Sequence, residues 1–163
     1  MRRYVITVIK ISLVLYISIL FLLLFVRHRG SWWMDLSPLE YAKMHMNLIP
    51  FQTIGGYIKA ILDGSMNLNI PLENLFGNLF MFLPFGIYLP FFQKKIDSLK
   101  KFILGMTSIF LIIEIAQFLT KRGSFDIDDL ILNLAGAVIG YLIWEKLIQG
   151  ILRKRDISNS FNL

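Results

Sequence analysis

Residues 122–141 read RGSFDIDDLILNLAGAVIGY. Three aspartates, Asp126, Asp128 and Asp129, stand within four positions. The chain then turns apolar for most of two dozen residues, interrupted by Asn133. From about 129 to 148 the segment is near the roughly 20 residues that carry an α-helix across about 30 Å of hydrocarbon, at about 1.5 Å per residue. A helix of that length, with carboxylates at its mouth, sets the fold as one of membrane spans.

The rest of the sequence agrees. It has 163 residues, of which 56% are hydrophobic, and a mean hydropathy of +0.63. The apolar residues lie in long runs rather than at amphipathic spacing, which excludes an ordinary soluble core. Three further runs cover about 4–26, 72–92 and 102–119, the second interrupted by Pro84 and Pro90. The first exceeds a signal-peptide core and has no small-x-small cleavage site after it, so it reads as a span. These runs predict an all-α membrane protein: four transmembrane helices and an external loop carrying short interfacial helices, in one domain over 1–163. The absence of cysteine excludes disulfides and thiolate chemistry. The net charge of +6 comes without a basic, aromatic-interleaved stripe, so no nucleic acid is expected. No cofactor and no metal set is expected either.

The cations fix an orientation. Arg2, Arg3, Lys94, Lys95, Lys100, Lys101, Arg153, Lys154 and Arg155 flank the spans in short segments on one side. Arg27, Arg29, Lys43, Lys59, Lys121 and Arg122 are spread over far more residues on the other. The positive-inside rule then predicts a multi-pass protein of the bacterial cytoplasmic membrane with both termini cytoplasmic. The connector 27–71 is external on this reading. Trp32 and Trp33 suit an interfacial belt. Ser37-Pro38-Leu39-Glu40 is a helix start, with Ser as cap, Pro first and Glu third, and the helix should run to about Met46. Asn47–Phe51, NLIPF, must leave the helix before Pro50. Ile54, Tyr57, Ile58, Ile61 and Leu62 form one apolar face, ended at Asp63-Gly64, which is expected to lie on the outer membrane surface. His45 is expected at the surface.

With this orientation the intramembrane polar residues share a depth. Asn78, Glu114 and Asn133 each fall about four or five residues from the outer end of a span, roughly 6–8 Å below the boundary. Asn74, Asn78, Met81 and Phe85 make one stripe, and Asp129, Asn133, Gly136 and Gly140 another. Asp128 points about 100° away from that second stripe, toward headgroups or the loop. Gly136-x-x-x-Gly140 permits close helix approach, which would draw Asp129 and Asn133 toward the Asn stripe and Glu114. Arg122 is a natural partner for one of the acids. Simpler roles stand beside these. Asn74 and Asn78 fit interhelical hydrogen bonding, the aspartates fit an N-terminal cap, and Pro84 with Gly86 fits a kink. Glu114 lies within the apolar run IFLIIEIAQFL, where an acid costs about 2.5–3.5 kcal/mol at a helix centre and less near the interface, so it reads as functional or as part of an essential network.

Four pieces of sequence then define a pattern: NLIPF at 47–51, ENLFGNLFMFLPFG at 73–86, IEIAQ at 113–117 and RGSFDIDDLILNLAGAVIGY at 122–141. In this order, over about 47–145, they resemble the VanZ-like family of bacterial membrane proteins, named for a protein linked to teicoplanin resistance. The matching positions are Asn47, Pro50, Asn74, Asn78, Pro84, Gly86, Glu114, Gln117, Arg122, Asp126, Asp128, Asp129, Asn133 and Gly136. The resemblance implies a small polytopic envelope protein and carries over no reaction. The candidate ligand-binding cluster is Asn47, Asn74, Asn78, Glu114, Gln117, Arg122, Asp126, Asp128, Asp129 and Asn133. Three functions suit it. The first is an outer-leaflet site for a lipid or lipid-linked wall precursor, lowering susceptibility to teicoplanin-type glycopeptides. The second is an intramembrane acid/base or metal-assisted enzyme acting on a lipid phosphate, with no obvious nucleophile or two-His set to support it. The third, an ion carrier, ranks last because the inner halves of the spans are apolar.

Overall fold

The computed structural model describes residues 2–26, 35–93, 95–148 and 150. Trp32, Trp33 and the flanking cations Arg27, Arg29, Lys94 and Arg153–Arg155 lie outside the described residues. Seven α-helices follow in order: α1 Arg2–Phe21, α2 Pro38–His45, α3 Gln52–Asp63, α4 Asn69–Met81, α5 Leu83–Phe92, α6 Leu99–Leu119 and α7 Ile127–Ile143. α1 and α7 each end in a wider π turn, Leu22–Val26 and Trp144–Ile148. Two two-residue strands, β1 Met46–Asn47 and β2 Phe125–Asp126, form one parallel ladder. Among the described residues, four segments are long and apolar enough to cross a membrane: Arg3–Val26, Asn69–Phe92, Leu99–Leu119 and Ile127–Leu147. The protein is an all-α membrane protein, as its apolar runs require. The last three spans start two or three residues earlier than the apolar runs do, because the polar residues at their mouths are wound into the first turn.

The chain forms two compact units. One comprises Met1–Leu48 and Ile112–Ile127, the other Ile49–Leu111 and Asp128–Leu163.

In the first unit, α2 begins as its sequence dictates. The Ser37 side chain accepts from the Glu40 N–H, and Glu40 reaches back to the Ser37 N–H at 2.9 Å, a capping box with Pro38 in the first turn. The bonds from Ser37 hold the exposed Glu40 carboxyl below its usual range. Tyr41 is buried, donates from its hydroxyl to the Gly123 carbonyl at 2.8 Å, and stacks on His45. His45 is therefore not the surface residue that its position suggested. It is half-buried against Tyr41, and burial pushes its imidazole below the usual histidine range. Phe118 meets both Tyr41 and Phe125.

The second unit is packed on aromatic side chains. Phe82 and Phe110 meet edge-on at 4.6 Å, and Phe102 lies 4.7 Å from Tyr141. The Asn69–Phe92 span breaks at Phe82, two residues before Pro84, which sits in the first turn of α5. The pyrrolidine ring excludes an N–H bond there and crowds the carbonyl four residues back, which explains a break at this point. No break occurs at Pro90, where one was also expected; α5 runs through it to Phe92. Gly86 does more than permit a kink. A Cβ built on it would overlap the Ala137 carbonyl oxygen and come within 2.8 Å of the Tyr141 nitrogen. Gly136 and Gly140 behave likewise against the carbonyls of Leu79 and Leu83. The paired numbers rise together, so the α4–α5 span and α7 run parallel, backbone against backbone. On α3 the apolar face is divided: Ala60 is buried, Ile54, Tyr57 and Ile61 are half-buried, while Ile58 and Leu62 are exposed, Leu62 at 82%.

Candidate functional site

The ten candidate residues fall five to each unit. Asn47, Glu114, Gln117, Arg122 and Asp126 belong to the first, and Asn74, Asn78, Asp128, Asp129 and Asn133 to the second.

In the first unit, β1 and β2 set Asn47 opposite Asp126, and the Asn47 amide donates to Asp126 Oδ1 at 3.1 Å. A parallel pairing of two residues is weak by itself, and this side-chain bond ties it down. Gln117 donates to the Leu24 carbonyl at 2.9 Å. Leu24 lies in the π turn Leu22–Val26, where the widened helix leaves a carbonyl to be satisfied from outside. The Gln117 carbonyl accepts from the Arg122 and Gly123 N–H groups, closing α6 with Lys121 at φ 52°. Glu114 is buried at 4% exposure on the same helix. Arg122 is exposed and joins no carboxylate among the described residues, unlike the ion pair its position suggested.

In the second unit, Asp128 is completely buried, at 0% exposure. Of the two directions expected, headgroups or the loop, it takes the loop. Its carboxylate accepts from the backbone N–H groups of Phe51 at 2.5 Å, Thr53 at 2.8 Å and Ile54 at 3.0 Å. Those groups open α3, whose preceding residue, Phe51, supplies no side-chain cap and holds a left-handed φ of 66°. Free N–H groups at a helix start need an acceptor, and Asp128 is a cap delivered from another helix. The same carboxylate sits in the first turn of α7, so it lies at two positive helix ends. About 100° round the helix, the Asn78 amide of α4 donates to Asp129 Oδ1. Asn74 instead donates to the Ile70 carbonyl of its own helix at 2.7 Å. Asn133 is buried at 5% exposure, and its Oδ1 meets no hydrogen-bond partner among the described residues.

The chemistry of this second set is that of acceptors: two carboxylates and an amide oxygen, presented by a helix that is otherwise apolar. Sequence reasoning found all of these residues but missed the α3 cap, whose partners are more than 70 positions away in the chain. It also missed Gly86 as a packing residue, although its small size beside Pro84 was the available signal.

A family model described as VanZ/LLP1 matches residues 13–149. The chain belongs to the VanZ/LLP1 family. One curated relative, "Protein VanZ" of Enterococcus faecium, is 29% identical over 109 residues. That match covers 67% of this chain and 58% of the relative, so this VanZ/LLP1 chain is matched over less than two-thirds of the relative's length. No solved structure matches the chain. All ten candidate residues fall inside the stretch matched by the VanZ/LLP1 model.

Proposed function

We propose that the chain is a protein of the bacterial cytoplasmic membrane, with both termini cytoplasmic, that lowers susceptibility to teicoplanin-type glycopeptides. It does so by binding a lipid or lipid-linked wall precursor at a polar site near the outer leaflet. The observation that carries this reading is the acceptor set at the start of α7: Asp129 bonded by Asn78, and the buried Asn133. Polar groups within a span are costly, and they gather where something is bound or exchanged. The VanZ/LLP1 membership and the likeness to Protein VanZ support the resistance role.

The test is expression of the full chain in a susceptible Gram-positive host. Wild type should raise the teicoplanin concentration needed to stop growth. Asp129→Asn should lose most of that gain at equal membrane abundance on immunoblots. Glu114→Gln tests the first unit separately; it removes charge while keeping size, and it should also lose the gain. Glu145→Gln, in the far π turn, should keep it. Full tolerance with Asp129→Asn would remove the α7 site, and no gain with wild type would remove the resistance role.

A further inference from the structure

We propose that the α4–α7 face at Asn133 takes the primary ammonium group of a phospholipid headgroup, which donates an N–H to Asn133 Oδ1. This rests on the reading above that the face is a lipid site, and it names the headgroup chemistry. Asn133 Oδ1 is enclosed and has no hydrogen-bond partner among the described residues. Buried amide oxygens are rarely left so, because removal from water is uncompensated until a donor arrives. Its place along α7 is fixed on both sides by α4. One turn earlier, Asp129 accepts from Asn78; three residues later, Gly136 lies against the Leu79 carbonyl.

No side chain of α4 donates to it. The segment Asn69–Met81 contains no Lys, Arg, His, Ser or Thr. Its internal amides Asn74 and Asn78 donate to Ile70 and Asp129, and neither bonds Asn133 Oδ1. With no protein donor on Asn133 Oδ1 among the described residues, the donor is assigned to a ligand. Charge selects its kind. Asp129 precedes Asn133 by one turn on the same stripe, and neither Asn69–Met81 nor Ile127–Ile143 carries a Lys or Arg. Such walls disfavour a phosphate and favour a cation that can donate. A quaternary ammonium has the charge but no N–H, so it fails the second requirement.

The experiment titrates the delipidated full chain in detergent with phosphatidylethanolamine or with phosphatidylcholine of the same acyl chains. Binding is read by native mass spectrometry and by thermal shift. Wild type should bind phosphatidylethanolamine about tenfold more tightly, the scale of one charge-assisted hydrogen bond. Asn133→Leu keeps the same branched heavy-atom skeleton, somewhat larger, and has no acceptor. It should keep its lipid-free melting temperature and bind both lipids equally. Equal affinity of the wild type for the two lipids overturns the proposal. So does a preference retained in Asn133→Leu, or a lipid-free melting temperature lowered by that substitution, since the acceptor would then be satisfied within the protein. Competition by soluble O-phosphoethanolamine at the lipid's own concentration would overturn the assignment to a membrane lipid. An intact lipid preference in a chain that confers no teicoplanin tolerance would remove the resistance proposal and leave this one standing.

Discussion

At the scale of single residues, the first-turn aspartates of α7 divide their work. Asp128 and Asp129 are neighbours in sequence, and a helix turns successive side chains by about 100°, so they meet different partners. Asp129 meets the amide of Asn78, and Asp128 meets three backbone N–H groups at the start of α3. Asp128→Ala should strand those groups and lower stability by about 2–4 kcal/mol, given the cost of losing hydrogen bonds to a buried charge. Asp128→Asn keeps one acceptor oxygen and should lose less. Thermal unfolding in detergent measures both, and limited proteolysis should show new cleavage between 48 and 56 in the alanine variant. Unchanged melting of Asp128→Ala would mean that α3 does not depend on this cap.

Among elements, the contact of the α4–α5 span with α7 is decided by glycine. Within lipid the hydrophobic effect does not drive helices together, and close packing must do so instead. Gly136 and Gly140 on α7 and Gly86 on α5 each leave no room for a Cβ against the facing backbone. Gly136→Leu should therefore reduce the yield of folded protein and its melting temperature severely. Gly105 of α6 supplies the contrast, since a Cβ there meets nothing within 4 Å. Gly105→Leu should leave yield and melting nearly unchanged. Size-exclusion profiles and thermal shifts of the two variants make the comparison, and equal behaviour of the two would show that the glycines are not a packing surface.

For the whole molecule, orientation is the property to test, and the absence of cysteine makes each introduced thiol a unique reporter. An impermeant thiol reagent on intact cells should label Asp35→Cys and Ser124→Cys but not Asp97→Cys or Ser158→Cys. Labelling at 97 would reverse the orientation and place the start of α7 on the cytoplasmic side. The four spans, the α2 capping box and the small-residue stripe of α7 were legible in the sequence. Each is written locally: run length against membrane thickness, Ser-x-x-Glu at a helix start, and glycine spaced by one turn. The polar candidates were legible for the same reason, because a carboxylate or amide inside an apolar run stands out wherever it points. Their partners were not. Asp128 was assigned to headgroups or the loop, Arg122 to an acid and His45 to the surface; Asp128 caps α3 within that loop, while Arg122 stays exposed and His45 stacks on Tyr41. Helical phase gives a direction around one axis only. What lies in that direction depends on how distant segments pack, and so the tertiary structure alone decided which acceptors are filled and that Asn133 Oδ1 meets no hydrogen-bond partner among the described residues.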